Sequence, residues 1–266
     1  MDYANMFRLD GKHAVVIGCG GIGAEVVAGL AAQGARVTCL DQQQSVAESA
    51  LVYAREQASF QAAPEHEAGV VDVTDPDSLA QAAEHAHDVD IVVLTAARNV
   101  RKRLLDYSAD EFASVIDINL GGTFNVARAF APRMASRGVG SFIVLGSIRS
   151  VTVEPGQGGY AATKAGLLQL IRTFAAELGP QGVRFNSVAP GVVDTPLTKP
   201  IQSDEAWQQA YANKSALARW AQPSEIVGAV TYLASDAASF VTGSQIVVDG
   251  GWTAIDGRFT PPTPAN

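Results

Sequence analysis

The fold is decided by residues 14–33, which read Ala-Val-Val-Ile-Gly-Cys-Gly-Gly-Ile-Gly-Ala-Glu-Val-Val-Ala-Gly-Leu-Ala-Ala-Gln. The first four of these residues are apolar, which is typical of a short strand buried in a parallel sheet. A glycine-rich loop from Gly18 to Gly23 follows directly, and residues 24–33 then have the pattern of a helix. A strand, a glycine-rich turn and a helix in this order predict the first unit of an α/β fold.

The same alternation of short apolar runs and longer helical patterns continues along the chain. Strands are predicted at residues 14–17, 37–40, 69–73, 91–94, 141–145, 183–188 and 245–248. Helices are predicted at residues 24–33, 78–86, 108–137, 160–179 and 223–235. This pattern predicts one domain over residues 1–266 with a doubly wound Rossmann fold, a seven-stranded parallel sheet with helices on both faces. Ligands of such a sheet bind beyond the carboxyl ends of its strands.

Two segments fall outside this alternation. Residues 195–221 contain two prolines and several aromatic residues, among them Trp207, Tyr211 and Trp220. We interpret this segment as a lid with short amphipathic helices that covers the substrate, and a surface subdomain is the alternative. The tail at residues 259–266 has too many prolines to form a regular element, and it is either disordered or draped on a neighbouring subunit.

Composition limits the classes of partner. Hydrophobic residues make up 47% of the 266 residues and charged residues 17%, so a sizeable core can form and apolar surface remains for subunit contacts. The net charge of −8 argues against nucleic acid as a partner, because a polyanion would be repelled. A local basic cluster, which we interpret as a solvated loop, is formed by Arg98, Arg101, Lys102 and Arg103.

The cysteines and the start of the chain bear on location. Cys19 and Cys39 fall in apolar surroundings rather than in a paired framework, which predicts buried thiols in a reducing compartment. The first residues lack a basic region followed by an apolar stretch, and no apolar run approaches the ~18 residues that span a bilayer. We therefore expect a cytoplasmic protein without a membrane partner.

The histidines do not form the spacing of a metal site. His85 and His87 are two residues apart and so lie on different faces of a helix, while His13 and His66 are distant in sequence. We predict no metal.

The glycine-rich loop has the context of a dinucleotide site. It lies between a predicted strand and a predicted helix, where small residues let the backbone approach a pyrophosphate and the helix N-terminus offers free amide groups. An acidic residue, Asp41, stands at the end of the next strand, 18 residues beyond Gly23. The loop residues predicted to contact the cofactor are Gly18, Gly20, Gly21, Ile22 and Gly23.

Asp41 also selects the cofactor. Its carboxylate would accept hydrogen bonds from the ribose hydroxyls of NAD and would repel the additional phosphate of NADP. Residues 42–44 are glutamines and supply no compensating cation, so we predict NAD. The alternative is that Asp41 is a helix cap or turn residue. Asp72 and Val73, at the end of the third predicted strand, are expected to border the adenine.

Tyr160 and Lys164 have the spacing of a proton-transfer site. On a helix, an offset of four residues places both side chains on one face. A cation beside the phenol lowers the tyrosine pKa, which is ordinarily near ~10. Ser147, thirteen residues before Tyr160, is positioned to hold the oxygen of a substrate. The alternative is a solvated helix face.

Taken in order, these motifs resemble the short-chain dehydrogenase/reductase family across nearly the whole chain. The resemblance rests on Asn119 in Asp117-Ile118-Asn119-Leu120, on Ser147, on Tyr160-x-x-x-Lys164 and on Pro190-Gly191 followed by Thr195. It implies a catalytic tetrad of Asn119, Ser147, Tyr160 and Lys164. It also implies that Lys164 binds the nicotinamide ribose, and that Val193 and Thr195 contact the nicotinamide amide.

Two motifs depart from the family pattern. The usual loop Thr-Gly-x-x-x-Gly-x-Gly is one residue shorter here and lacks its threonine. The usual Asn-Asn-Ala-Gly after the fourth strand is replaced by Leu94-Thr95-Ala96-Ala97. Thr95 and Ala96 are expected to contact the cofactor in altered form, because Thr95 keeps a hydroxyl but lacks an amide.

The resemblance implies an NAD-dependent oxidoreductase that transfers a hydride between a secondary alcohol and NAD, with Tyr160 as general base or acid. The phrases at residues 98–102 and 218–220 resemble gluconate dehydrogenases and suggest a sugar acid or polyol. Arg149 and Gln157 are the candidate substrate contacts, and a surface salt bridge is the alternative for Arg149. Other candidate functions are a reductase of ketoacyl or cyclic ketone substrates, an aromatic dihydrodiol dehydrogenase, and an NAD-binding scaffold or sensor without turnover.

The resemblance also implies a homotetramer, in which residues 108–137 and 160–179 pair between subunits. A dimer is the alternative.

Overall fold

The computed structural model describes residues 3–57 and 66–257. Its seven strands form one parallel sheet in the order β3-β2-β1-β4-β5-β6-β7, which confirms the predicted fold class. The strand order reverses between β1 and β4, and this is where sheets of this type bind ligands. The strands are β1 His13–Ile17, β2 Arg36–Asp41, β3 Glu67–Val70, β4 Ile91–Leu94, β5 Gly140–Leu145, β6 Val183–Pro190 and β7 Gln245–Val248.

Helices cover both faces of the sheet. Successive residues of a strand point to opposite faces, so Val16 joins the core beneath one set of helices and Val15 joins the core beneath the other. The described helices are α1 Ile22–Ala32, α2 Gln44–Gln57, α3 Pro76–His85, α4 Ala109–Ile116, α5 Gly122–Arg137, α6 Gly158–Leu178, α7 Lys199–Gln202, α8 Glu205–Lys214 and α9 Val227–Ala234. Helices α1, α2 and α9 supply the first core, whereas α3, α5 and α6 supply the second.

Helix α2 is absent from the sequence prediction. Its buried positions are Ala47, Ala50, Leu51 and Ala54, which have the spacing of one helix face. Three of the four are alanines, and the other positions are mostly polar. The apolar periodicity of residues 44–57 is therefore weak. The spacing of the four buried positions was nevertheless a signal for a helix.

The prediction for β3 is displaced. The strand was expected at residues 69–73 and instead spans Glu67–Val70. Its partner β2 ends at Asp41, which pairs with Val70, so residues 71–73 have no strand beside them. These residues leave the sheet as a loop above its carboxyl edge.

Two predicted helices are interrupted. The stretch at residues 108–137 consists of α4, a π-helical turn at Asp117–Gly121 and α5. Helix α4 begins with a capping box in which Ser108 and Glu111 bond reciprocally. The stretch at residues 223–235 begins with a 3-10 turn, Pro223–Ile226, before α9.

Residues 195–221 form a 3-10 turn, Pro196–Thr198, followed by α7, α8 and a loop. The two ends of the segment are joined by a bridge between Val193 and Ala221, with the Ala221 amide donating to the Val192 carbonyl over 3.0 Å. The segment is thus an insertion after β6 whose two ends lie side by side. The proline-rich tail at residues 259–266 lies outside the described residues. Within the described parts of the chain, no helix has both the length and the apolarity needed to cross a membrane.

Candidate active site

A cavity of about 510 Å³ opens at the carboxyl ends of the strands. The loops that follow β1, β2, β4, β5 and β6 line it, as expected for a ligand site of a parallel sheet. Most of the predicted site residues meet here. The predicted residues that line the cavity are Gly18, Gly20, Gly21, Ile22, Asp41, Asp72, Val73, Thr95, Ala96, Ser147, Arg149, Gln157, Tyr160, Lys164, Val193 and Thr195.

Gly23 and Asn119 are the predicted site residues that do not line the cavity. Gly23 packs beneath the loop, where a β-carbon would lie 1.9 Å from the carbonyl oxygen of Gly18. A β-carbon on Gly18 itself, which has a φ of +90°, would lie 2.6 Å from the backbone nitrogen of Ala96. By contrast, the nearest atom to a β-carbon on Gly20 would be in Val46, at 4.0 Å. Gly18 and Gly23 therefore keep the loop compact, and Gly20 leaves room above it.

Thr95 occupies the position where the family has an asparagine. Its hydroxyl donates a hydrogen bond to the carbonyl of Gly18 and so ties the end of β4 to the glycine-rich loop. The short side chain thus supports the loop directly, which accounts for the altered motif in structural terms.

The nucleotide end of the cavity is acidic. Asp41 accepts hydrogen bonds from the backbone amides of Cys19, at 2.8 Å, and Gln43, at 3.0 Å, so its carboxylate both fixes the loop and faces the cavity. Asp72 accepts from Gln42 over 3.0 Å, and hydrogen bonds from the side chain and backbone of Thr74 lower the pKa of Asp72. Among the described lining residues, no lysine or arginine stands at this end.

Tyr160 lies in the first turn of α6, and Ser147 follows β5. The phenol keeps part of its surface open to the cavity, but burial among neighbouring atoms raises the pKa of Tyr160. A hydrogen bond with Ser147 and the charges of Arg149 and Arg101 act in the opposite direction on that pKa. The two side chains thus meet as predicted, with two guanidinium groups nearby.

Lys164 differs from the expectation. It lies on the same face of α6 as Tyr160, but its ammonium is 5.4 Å from the centroid of the tyrosine ring and donates to the carbonyl of Leu145 over 2.7 Å. The ammonium of Lys164 thus faces the ring of Tyr160. Burial lowers the pKa of Lys164 itself to about 8.

Asn119 lies in the π-helical turn and is buried. Its side-chain oxygen accepts from the amide of Arg98 over 2.8 Å, and its side-chain nitrogen donates to the Arg98 carbonyl and to the Thr163 hydroxyl, each over 2.9 Å. The residue joins the loop after β4 to α6 directly behind Tyr160. Both of its amide hydrogens are used, so only acceptor capacity remains for a water molecule.

Arg149 is not a surface residue. Its side chain is 7% exposed, forms an ion pair with Glu154 and lies 5.5 Å above the ring of Trp252. Gln157 donates to the same carboxylate over 2.7 Å. Glu154 thus organises the end of the cavity beyond Tyr160.

Sequence reasoning did not assign Arg101 and Asn99 to the site and placed Tyr211 only in the lid segment, and all three line the cavity. The interpretation of residues 98–103 as a solvated loop is wrong for Arg101, because this side chain turns inward toward Glu154. The signal available was the likeness of residues 98–102 to gluconate dehydrogenases. Arg98, Lys102 and Arg103 are exposed, as expected.

The two cysteines do not line the cavity, and the described residues form no cluster of metal ligands. Cys19 and Cys39 are buried free thiols, and a hydrogen bond between them together with burial raises the pKa of Cys19. In residues 3–57 and 66–257, no group of three or more histidine, cysteine, aspartate or glutamate side chains could hold a metal ion.

The site and the fold define a nucleotide-dependent oxidoreductase, and comparisons with known proteins agree. Residues 18–253 match the family model described as Enoyl-(Acyl carrier protein) reductase. The chain therefore belongs to the short-chain dehydrogenase/reductase family and is an oxidoreductase of the alcohol dehydrogenase and ketone reductase type.

Several relatives act on sugar derivatives. The chain is 37% identical to galactitol 2-dehydrogenase (L-tagatose-forming) of Cereibacter sphaeroides, over 95% of this chain and 99% of the relative. It is 32% identical to gluconate 5-dehydrogenase of Gluconobacter oxydans (strain 621H), with the same coverage. A crystal structure of a gluconate 5-dehydrogenase from Burkholderia cenocepacia J2315 in complex with NADP and tartrate superposes with a TM-score of 0.88 at 32% identity, covering 94% of this chain and 98% of that one.

Proposed function

We propose that the protein is an NAD-dependent dehydrogenase that oxidises a secondary alcohol of a sugar acid or polyol to the ketone. The observation that carries this proposal is the meeting of Tyr160 and Ser147 in one cavity whose opposite end is formed by a glycine-rich loop and Asp41. The relatives named galactitol, gluconate and D-threitol dehydrogenase support a polyhydroxylated substrate.

The residues present fit a nicotinamide dinucleotide. Gly20 leaves the surface of the loop open, and the N-terminus of α1 begins at Ile22 beside it, which suits a pyrophosphate. Asp41 suits the two ribose hydroxyls of NAD, and Asp72 with the neutral Gln42 offers no cation to pair with the phosphate of NADP. We therefore assign NAD, although the Burkholderia relative has NADP in its structure.

The residues divide the chemistry between them. When bound, the nicotinamide ring takes up the hydride from the carbinol carbon. Tyr160, in the phenolate form that the charges of Arg149 and Arg101 favour, takes the hydroxyl proton. With the hydride and the proton, the alcohol loses two electrons and two hydrogens and becomes a ketone. Ser147 hydrogen-bonds the reacting oxygen, where negative charge develops. Lys164 supplies positive charge beside the tyrosine ring and has two ammonium hydrogens left after its bond to Leu145, which can bind ribose hydroxyls.

Five other predicted site residues complete this assignment. Val193 and Thr195 lie after β6, with Thr195 beside Gly21 of the glycine-rich loop, and we assign them to the nicotinamide amide. Asn119 positions α6 behind Tyr160, and its remaining acceptor capacity suits a water that relays the proton. Arg149 and Gln157 are assigned to the substrate end.

We propose that residues 195–221 cover the substrate. Tyr211 of α8 lines the cavity, and its hydroxyl donates to Glu154, which lies behind the cavity wall. Its ring stacks against Trp220 with the centroids 5.6 Å apart. The hydrogen bond to Glu154 makes Tyr211 the residue through which the segment closes over the site.

We also propose a homotetramer in the cytoplasm. Phe112 of α4 and Phe124 of α5 are 41% and 46% exposed, which leaves apolar surface for a subunit contact. The buried free thiols of Cys19 and Cys39 suit a reducing compartment. Sedimentation of the purified protein tests the assembly, and a monomer would contradict it.

The proposed activity is tested by NADH formation with NAD or NADP across sugar acids, alditols, cyclic alcohols and aromatic dihydrodiols. Turnover of sugar acids or alditols with NAD supports the proposal. Turnover of cyclic alcohols or dihydrodiols alone would overturn the substrate assignment. Silence with every alcohol, together with tight NADH binding, would favour a scaffold or sensor.

A further inference from the structure

The charges that line the cavity are separated by sign. Asp41 and Asp72 stand at the nucleotide end, whereas Arg101 and Arg149 stand beyond Tyr160. Among the described lining residues, no carboxylate accompanies the two arginines at that end. A cavity with a cationic end raises the local concentration of anions there.

Glu154 does not line the cavity and acts from behind its wall. Its Oε2 atom accepts from Arg149 and from Gln157, and its Oε1 atom accepts from Tyr211 and from Arg101. With four donors on two oxygens, this carboxylate has no capacity left for a ligand. It therefore fixes the side chains that form the wall, and a ligand would meet those side chains instead.

The two arginines are held to different degrees. Arg149 is 7% exposed, is paired with Glu154 and stacks on Trp252, so its guanidinium is fixed on several sides. Arg101 is 28% exposed and approaches Glu154 only to 3.4 Å through its Nη1 atom. Arg101 also bonds to the side chain of Tyr211. A guanidinium has five N–H donors, so donors remain for a ligand, and such a group binds a carboxylate through two parallel hydrogen bonds.

Asn99 supplies a second polar contact nearby. Its Nδ2 atom donates to Gln157 over 3.0 Å, which fixes the orientation of the amide. Its Oδ1 atom is buried and has no hydrogen-bond partner. Because a buried acceptor without a partner costs free energy, a ligand hydroxyl would satisfy it.

We propose that Arg101 is a specificity-determining residue that binds a carboxylate of the substrate, so that the preferred substrate is a polyhydroxylated carboxylic acid rather than a neutral polyol. The inference rests on the proposed dehydrogenase function. The carboxylate lies against Arg101, a hydroxyl of the acid donates to Asn99 Oδ1, and the reacting alcohol lies at Ser147 and Tyr160. Arg149, held by Glu154, contributes charge without needing to move.

The test compares an aldonate with the alditol of the same carbon chain, using wild type and Arg101→Gln with saturating NAD. Loss of a charged hydrogen-bond partner costs about 1.5–3 kcal/mol, or roughly 10- to 100-fold in kcat/KM. We expect the aldonate to lose that much more than the alditol, because both substrates share any change in the pKa of Tyr160 that removal of the Arg101 charge causes. The matched control is Arg103→Gln, which removes an exposed arginine from the same loop without changing the cavity wall.

Equal losses for both substrates, or no loss for either, would overturn the role of Arg101. A second measurement does not depend on turnover: titration of the NADH-bound protein with aldonate, followed by tryptophan fluorescence, since Trp252 lies beside Arg149. Weaker aldonate binding in Arg101→Gln supports the anion site even if no alcohol is oxidised, in which case only the proposed dehydrogenase function fails. Unchanged aldonate affinity in that variant would refute the anion site.

Discussion

Lys164 Nζ donates a hydrogen bond of 2.7 Å to the backbone carbonyl oxygen of Leu145, the last residue of β5. The bond holds a buried ammonium between the sheet and α6, beside the ring of Tyr160. Burial disfavours the charged form and lowers the pKa of Lys164 from 10.5 to about 8. Burial of Lys164 therefore makes the free energy of unfolding depend on pH.

Between about pH 8 and about pH 10, the unfolded chain binds a proton at Lys164 that the folded chain has lost. The free energy of unfolding should then rise with pH by up to about 1.4 kcal/mol per pH unit. Lys164→Met should remove this contribution and flatten the slope. Urea unfolding of both proteins without cofactor, at several pH values in this window, measures it. Identical slopes would contradict the lowered pKa.

Removal of the Tyr160 hydroxyl should separate binding from chemistry. In Tyr160→Phe, we expect NADH affinity to stay within about twofold, while turnover falls by roughly 10²- to 10⁴-fold because the general base is lost. Tyr53→Phe is the matched control, since that hydroxyl bonds to Glu25 on the other side of the glycine-rich loop. Turnover in Tyr160→Phe close to that of wild type would rule out the proposed proton transfer.

Asp41 should control the choice between NAD and NADP. Asp41→Asn keeps an acceptor for the Cys19 amide but removes the charge that repels the phosphate of NADP. The ratio of kcat/KM for NAD to that for NADP should fall by roughly 10- to 100-fold, the size of a charged hydrogen bond. Asp110→Asn, on the exposed start of α4, is the control. An unchanged ratio would mean that residues other than Asp41 determine the preference for NAD over NADP.

Two glycines of one loop should respond differently to the same substitution. Gly23→Ala places a β-carbon 1.9 Å from the Gly18 carbonyl oxygen, and we expect a loss of about 1–3 kcal/mol in stability from overpacking. Gly20→Ala meets only Val46 at 4.0 Å, so stability should stay within about 0.5 kcal/mol while NADH affinity falls. Denaturant unfolding and NADH fluorescence titration measure the two effects. Equal destabilisation would contradict this division of roles.

The sequence predicted the sheet and the nucleotide end of the cavity because their signals are local. The strand, the glycine-rich loop and Asp41 lie within residues 13–41, and the order of apolar run, glycines and helical pattern indicates a strand-turn-helix unit. The prediction failed for α2, where alanines form the buried face, and for the end of β3, which depends on the length of its partner strand.

The substrate end was predictable only in part. Ser147, Tyr160 and Lys164 were found from spacing, and the structure brings all three to the cavity. Arg101 was assigned to solvent because a run of basic residues is usually a hydrated loop. Its contact, Glu154, lies 53 residues away in the chain, so charge and periodicity could not indicate that this one side chain points inward, and the likeness of residues 98–102 to gluconate dehydrogenases was the one signal.

The sequence by itself determined the fold class, the family resemblance and the meeting of Tyr160 with Ser147, because periodicity and short motifs carry that information. Only the tertiary structure decided that Lys164 bonds to Leu145, that Glu154 fixes Arg149 from behind, and that Arg101 faces the cavity. The physical reason is that these side-chain positions depend on burial and on partners brought together by packing. Neither is encoded in the spacing of residues along the chain.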